Sequence, residues 1–320
     1  MSDIVLETEN LTKYYGKHLA LDHLNLRVPR GCIYGLLGRN GSGKTTAIKL
    51  LLGLLRPTAG RASLLGCDCG HLIPQVRGRV GYVTEGHRLY RWMTIGRLEK
   101  FQRAFFPRGQ WDGRLVDEML EYFQLSRKQK VRQLSNGQRA QVSLALAIAL
   151  AIAPNPELLI MDDPTLGLDT AIRRQFLEGM IQLIQQQGRS ILFSSHILSD
   201  VERVADRIAI IDNGVLRADC ALDEFRAKVR KAVATFPDEP PAEPDILGLL
   251  HQRRSANRLE LTLVGASDED IEAWSRNAGA TECKLVTMNL EDQFIEFTEP
   301  ESGRRLFQWE TEKNEVPGAV

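Results

Sequence analysis

Short, wholly apolar runs alternate with longer stretches of helical period through roughly the first 220 residues. This alternation predicts an α/β domain on a mainly parallel sheet, because strands buried on both faces read as unbroken apolar runs. The strand candidates are Ile33–Leu37, Val80–Val83, Leu158–Met161, Ser190–Ser194 and Ile208–Asp212. Asn213-Gly214 favours a tight hairpin turn, so Val215–Ala218 is expected to fold back on the strand before it. Thr46–Leu54 reads as a helix. Val142–Ala153 reads as a buried helix, well short of the ~20 residues that cross a bilayer. Between Glu85 and Leu134, Ile95, Leu98, Phe101, Phe105, Leu115, Met119, Tyr122 and Phe123 recur at helical spacing. They predict a helical subdomain over residues 86–140 inside a first domain of residues 1–227.

The pattern changes after that domain. Thr235–Pro244 packs four prolines and three acids into ten residues, the composition of an extended loop or linker, taken here as 235–246. Beyond it, Arg258–Val264 and Cys283–Thr287 read as strands, and Asp268–Asn277 and Leu290–Phe297 as helices. Residues 228–298 therefore form a small α/β domain, followed by a polar tail, 299–320. Net charge is zero, but residues 1–230 hold 32 Lys/Arg against 23 Asp/Glu, and the remainder holds 9 against 18. Such asymmetry marks two units with different tasks. A basic front domain suits a polyphosphate and an anionic membrane face, or is simply a solvated surface.

Hydrophobic content of 43% and charged content of 26% are ordinary for a soluble protein. Met1-Ser2-Asp3-Ile4 lacks the features of a secretory signal. The five cysteines show no paired CxxC spacing, which points to a reducing, cytoplasmic compartment. Cys67-Asp68-Cys69 is either a soft-metal pair or two incidental loop thiols.

Three constellations carry chemistry. Gly38-Arg39-Asn40-Gly41-Ser42-Gly43-Lys44-Thr45, with Thr46 after it, stands between a buried strand and a helix. Its glycines let successive N–H groups curl around one anion at a helix N-terminus. Lys44 is placed to reach the β- and γ-phosphates of a nucleotide, and the Thr45 hydroxyl to ligate Mg²⁺. The apolar strand Leu158–Met161 ends in Asp162-Asp163, at the carboxyl edge where open sheets bind ligands. Asp162 suits Mg²⁺ and Asp163 an attacking water. Leu134-Ser135-Asn136-Gly137-Gln138 precedes a helix, again an anion-binding geometry.

In order and spacing, this set resembles the nucleotide-binding subunit of ATP-binding cassette (ABC) transporters over roughly residues 4–225. The resemblance implies a P-loop NTPase fold and ATP hydrolysis with Mg²⁺. It makes Tyr15 of Lys13-Tyr14-Tyr15-Gly16 an adenine-stacking residue, and Ser135, Asn136, Gly137 and Gln138 the signature that meets a γ-phosphate held by a second subunit. Asp169 of Gly167-Leu168-Asp169 falls in the loop that links the two sites, and His196 of Ser194-Ser195-His196 is the switch histidine. Asp163–Asp169 and the C-terminal extension are similar to the subfamily that drives ABC-2-type exporters. The implied partners are a polytopic membrane permease and a second ATPase subunit, identical or not, with no nucleic acid. The implied place is cytoplasmic, peripheral on the inner face of the cell membrane. The alternatives are a non-transport ABC ATPase and an ATP-gated regulatory protein with little turnover.

Three positions depart from the family pattern. Asp163 stands where the catalytic base is normally Glu, Glu85 where Gln is usual, and Asn136 where Gly is usual. The shorter Asp163 side chain withdraws its carboxylate by about 1.5 Å, the length of one carbon–carbon bond. Slow hydrolysis, or the weaker site of a heterodimer, is the expected consequence. Glu85 either adds to the Mg²⁺ site or relays nucleotide state to the helical subdomain. Tyr90 and Trp92, in Leu89-Tyr90-Arg91-Trp92-Met93-Thr94, are expected to anchor a helix of the permease.

Overall fold

The computed structural model describes residues 3–85, 90–105, 111, 113–122, 124–133, 147, 151–152, 155–166, 168, 170, 173–174, 176–179, 188–298 and 307–308. It divides into two compact units, Met1–Leu216 and Arg217–Val320.

In the first unit an antiparallel sheet has the order β2-β1-β5-β6, with β3 also paired to β1. Its strands are β1 (Ile4–Tyr15), β2 (His18–Leu24), β3 (Arg27–Pro29), β5 (Ala59–Leu64) and β6 (Cys67–Asp68). The apolar pattern does not announce this sheet. Register shifts after Leu11 and Lys13, and a positive φ at Asn10, break the two-residue alternation that marks a strand.

The second sheet runs β10-β4-β9-β8-β7, all parallel. Here β4 is Ile33–Leu37, β7 Val80–Val83, β8 Leu158–Met161, β9 Ser190–Ser195 and β10 Arg207–Asp212. Strands β4, β8 and β9 are buried at every residue, as their apolar runs require. Asn213 and Gly214 then take φ of 47° and 81°, the mirror-image turn that follows the twist of a hairpin, and β11 (Val215–Ala221) begins. The core between the sheets includes Leu6, Leu24, Tyr34, Leu36, Ile48, Ile160 and Leu192.

Part of the helical subdomain is described. Helices Ile95–Arg103 and Gly113–Tyr122 share a separate small core of Ile95, Leu98, Val116, Leu120 and Val131. Arg127 ties them on the outside, bonding Glu99 at 2.8 Å and Asp117 at 2.5 Å. Phe101 and Phe105, which share the helical spacing of Ile95 and Leu98, are 42% and 71% exposed.

The second unit holds an antiparallel sheet of order β13-β14-β12-β15, with β12 at Val229–Thr235, β13 at Leu249–Ser255, β14 at Arg258–Val264 and β15 at Glu282–Val286. The proline-rich stretch connects β12 to β13, and Phe236 at its start is buried. Helix Asp268–Asn277 packs Ile271 and Trp274 on Ala232, Ala234, Leu259, Leu261 and Leu263. Its start is fixed by a reciprocal capping box between Ser267 and Asp270. A short strand β16 (Phe307–Gln308) pairs with β11.

Candidate active site

The loop after β4 delivers its residues to the helix Lys44–Leu51, which starts two residues earlier than its apolar pattern suggests. Gly43 caps it at φ 112°. A side chain there would fall 2.7 Å from the Ala20 carbonyl oxygen, so glycine is required by both conformation and space. Gly38 is pinched in the same way, 2.4 Å from the Ile211 oxygen.

These constraints frame a cavity of about 320 Å³. Its lining includes Tyr15, Asn40, Gly41, Gly43, Lys44, Thr45, Thr46, Glu85, Asp162 and Asp163, all expected from sequence. His18, Ala20 and Leu166 complete the wall. Gly38, Arg39 and Ser42 stand outside that lining; the Ser42 hydroxyl is buried with no hydrogen-bond partner among the described residues. Ser135, Asn136, Gly137, Gln138 and Asp169 lie outside the described residues.

Lys44 is buried, and its ammonium donates to the carbonyls of Gly38 at 2.7 Å and Arg39 at 3.1 Å. Burial pushes its pKa down, against the pull of the Asp163, Asp162 and Glu85 charges. The Asp162 Oδ1 accepts two hydroxyls, from Thr45 at 3.1 Å and from Ser194 at 2.8 Å. Asp163 bonds His196: the histidine Nδ1 lies 2.5 Å from its Oδ2. Its other oxygen, Oδ1, is buried with no partner among the described residues. Tyr82, on the strand leading to Glu85, has its phenol pushed up to about 12 by burial and by the charges of Asp162 and Glu85. Tyr15 is 46% exposed at the cavity edge, with the Lys13 ammonium 5.3 Å from its ring centre.

Sequence reasoning passed over a second polar group. Thr165 donates to Asp200 at 2.7 Å, and Arg173 stands 3.8 Å from the same carboxylate while bonding the Leu168 carbonyl at 3.2 Å. Burial raises the Asp200 pKa despite these partners. The group fastens the helix after His196 to the segment after Asp163. No local motif signals it, because Asp200 and Thr165 are distant in sequence. Cys67 and Cys69 are free thiols, the latter pushed up to about 12 by burial, and no cluster of three metal-ligating side chains forms among the described residues.

A family model described as ABC transporter matches residues 21–166. The bacitracin transport ATP-binding protein BcrA of Enterococcus faecalis is 37% identical over 229 residues, 72% of this chain and 73% of its own length. The Nod factor export ATP-binding protein I of Cupriavidus metallidurans is 37% identical over 299 residues, 92% of this chain and 97% of its own, so the likeness extends into the second unit. Among solved structures, a dimeric ATP-binding cassette in a post-hydrolysis state with ADP and Pi matches at 25% identity and TM-score 0.60, over 68% of this chain and 98% of that one.

Proposed function

The chain belongs to the ATP-binding subunits of ABC transporters and is an ATPase, and on that premise we propose that it powers an ABC-2-type exporter by acting on a separate polytopic permease. Its relatives are named for bacitracin transport and Nod factor export, which supports the exporter assignment. Among the described residues no helix is long and apolar enough to cross a membrane, so the path for cargo is assigned to the partner, and the ATPase to the inner face of the membrane beside it. Two cassettes close around ATP in this reading, each lending Ser135–Gly137 to the γ-phosphate on the other's loop. A second chain of the same or a related sequence fills that role.

The observation that carries the chemistry is the set of oxygen donors facing Lys44 in one cavity: Thr45, Asp162 and Glu85. Hydroxyl and carboxylate donors are the hard ligands that Mg²⁺ prefers, so these residues fit it. Bound there, Mg²⁺ would supply positive charge to offset that of the phosphates. Lys44 exchanges its loop carbonyls for phosphate oxygens. Tyr15 stacks on adenine, worth about 1–3 kcal/mol by analogy with base stacking. A carboxylate only accepts, so the contact with Asp163 puts a hydrogen on His196 Nδ1; a γ-phosphate oxygen also only accepts, so Nε2 serves it when that nitrogen carries a hydrogen as well. Asp163 Oδ1, with no partner among the described residues, accepts from the attacking water. The O–P bond forms as the bond to ADP breaks, and the water's proton passes to that carboxylate.

ATP turnover by the full-length chain tests this reading. Parent protein should release phosphate steadily, and Lys44→Ala should fall to background. A parent that binds ATP with no turnover would instead favour the ATP-gated regulator, which the short Asp163 side chain makes the second reading.

A further inference from the structure

We propose that Ser194 is a positioning residue that holds the Asp162 carboxylate and the Asp163 backbone with one hydroxyl. The inference rests on the ATPase reading and deepens it. Ser194 lies on β9, the strand beside β8, and is fully buried. Its Oγ donates to Asp162 Oδ1 at 2.8 Å and accepts the Asp163 backbone N–H at 2.9 Å. A hydroxyl has a single hydrogen, so satisfying Asp162 fixes its direction and leaves the lone pair for Asp163.

Two further features make this bridge consequential. Asp163 has φ 43°, in the left-handed region that non-glycine residues seldom occupy. Such a conformation persists only where its surroundings over-determine it, and the N–H that Ser194 holds belongs to that residue. Ser194 lies near the end of β9 and His196 directly after it, and both meet the Asp162-Asp163 pair. The Asp162 carboxylate and Asp163 backbone meet Ser194, and the Asp163 carboxylate meets His196. Hydrogen bonds thus link Thr45, Asp162, Ser194 and the Asp163 N–H, and the Asp163 carboxylate goes on to His196. The metal-holding and water-orienting carboxylates keep their spacing because the same oxygen touches both residues. Lys44 makes its own hydrogen bonds to the Gly38 and Arg39 carbonyls instead.

The test uses the full-length chain and reads steady-state ATP hydrolysis together with the Mg²⁺ midpoint for binding a fluorescent trinitrophenyl-ATP analogue. Ser194→Ala should keep KM for ATP within about twofold while kcat falls roughly 10- to 100-fold, the scale of an ångström's misplacement. Its Mg²⁺ midpoint should rise severalfold. Ser194→Thr, which keeps the hydroxyl, should recover most of the lost kcat. Ser190→Ala is the control for lost stability. Ser190 is equally buried on the same strand, and its hydroxyl accepts the distant Gly31 N–H at 2.8 Å. It should leave KM and kcat at parental values. Parental kcat and Mg²⁺ midpoint in Ser194→Ala would overturn the proposal, as would an equal loss in Ser190→Ala or no recovery in Ser194→Thr. Absence of hydrolysis in the parent would sink the ATPase reading instead, and the Mg²⁺ midpoint would still decide whether Ser194 positions Asp162.

Discussion

Asp163 combines a short side chain with a left-handed backbone, and the two properties pull in opposite directions. Asp tolerates positive φ better than Glu, because its carboxylate can bond locally. Glu would regain about 1.5 Å of reach toward the γ-phosphate. If reach limits the rate, Asp163→Glu should raise single-turnover hydrolysis, by up to about 10²-fold. An unchanged or lower rate would show that the backbone conformation, not side-chain length, governs this position. The residues of the phosphate loop were legible because the motif is contiguous and each member acts locally. Ser194, Thr165 and Asp200 were not, because their roles come from partners some thirty residues away.

At the scale of elements, the helix Ile95–Arg103 separates what helical spacing had merged. Successive steps of three residues drift by about 60°, so Phe101 lies about 120° round the helix from Ile95. Ile95 and Leu98 therefore enter the subdomain core, while Phe101 stays out. Phe105 falls beyond the helix end altogether. Both join Tyr90 and Trp92 in an exposed aromatic cluster, with ring centres 5.1–6.2 Å apart. The helix is started by Thr94, whose hydroxyl accepts the Arg97 N–H, and this cap holds Trp92 just ahead of it. In the exporter reading the cluster receives the permease helix, and aromatic anchors of this kind carry much of an interface's binding energy. Trp92→Ala should then leave ATP affinity unchanged while permease-stimulated hydrolysis falls at least tenfold. Equal stimulation of parent and variant by the reconstituted permease would remove Trp92 from the interface.

The whole molecule joins two units of opposite charge balance, and each has its own buried polar centre. In the second unit Glu296, 4% exposed, meets Lys231 at 2.9 Å and His251 at 3.4 Å, while Lys231 also reaches Glu260 at 3.3 Å. Burial alone would raise the Glu296 pKa, but the Lys231 hydrogen bond and charge, with Thr262 and Arg253, hold it below its ordinary 4.5. A depressed carboxyl stabilises the fold above its unfolded pKa and loses that contribution as pH falls through the folded value. The Tm of the full-length chain should therefore decline below about pH 4.5, and Glu296→Gln should flatten that decline. An identical pH profile in the variant would assign the acid sensitivity elsewhere.

What the sequence by itself determined is the kind of chemistry. A glycine-rich loop between strand and helix, and acids at a strand end, carry their meaning in contiguous residues, since backbone conformation and one side chain's reach are local properties. Only the tertiary structure decided how those parts are held. The order β10-β4-β9-β8-β7 places Ser194 and His196 beside Asp162 and Asp163, and hydrogen bonds between neighbouring strands depend on that order rather than on distance along the chain.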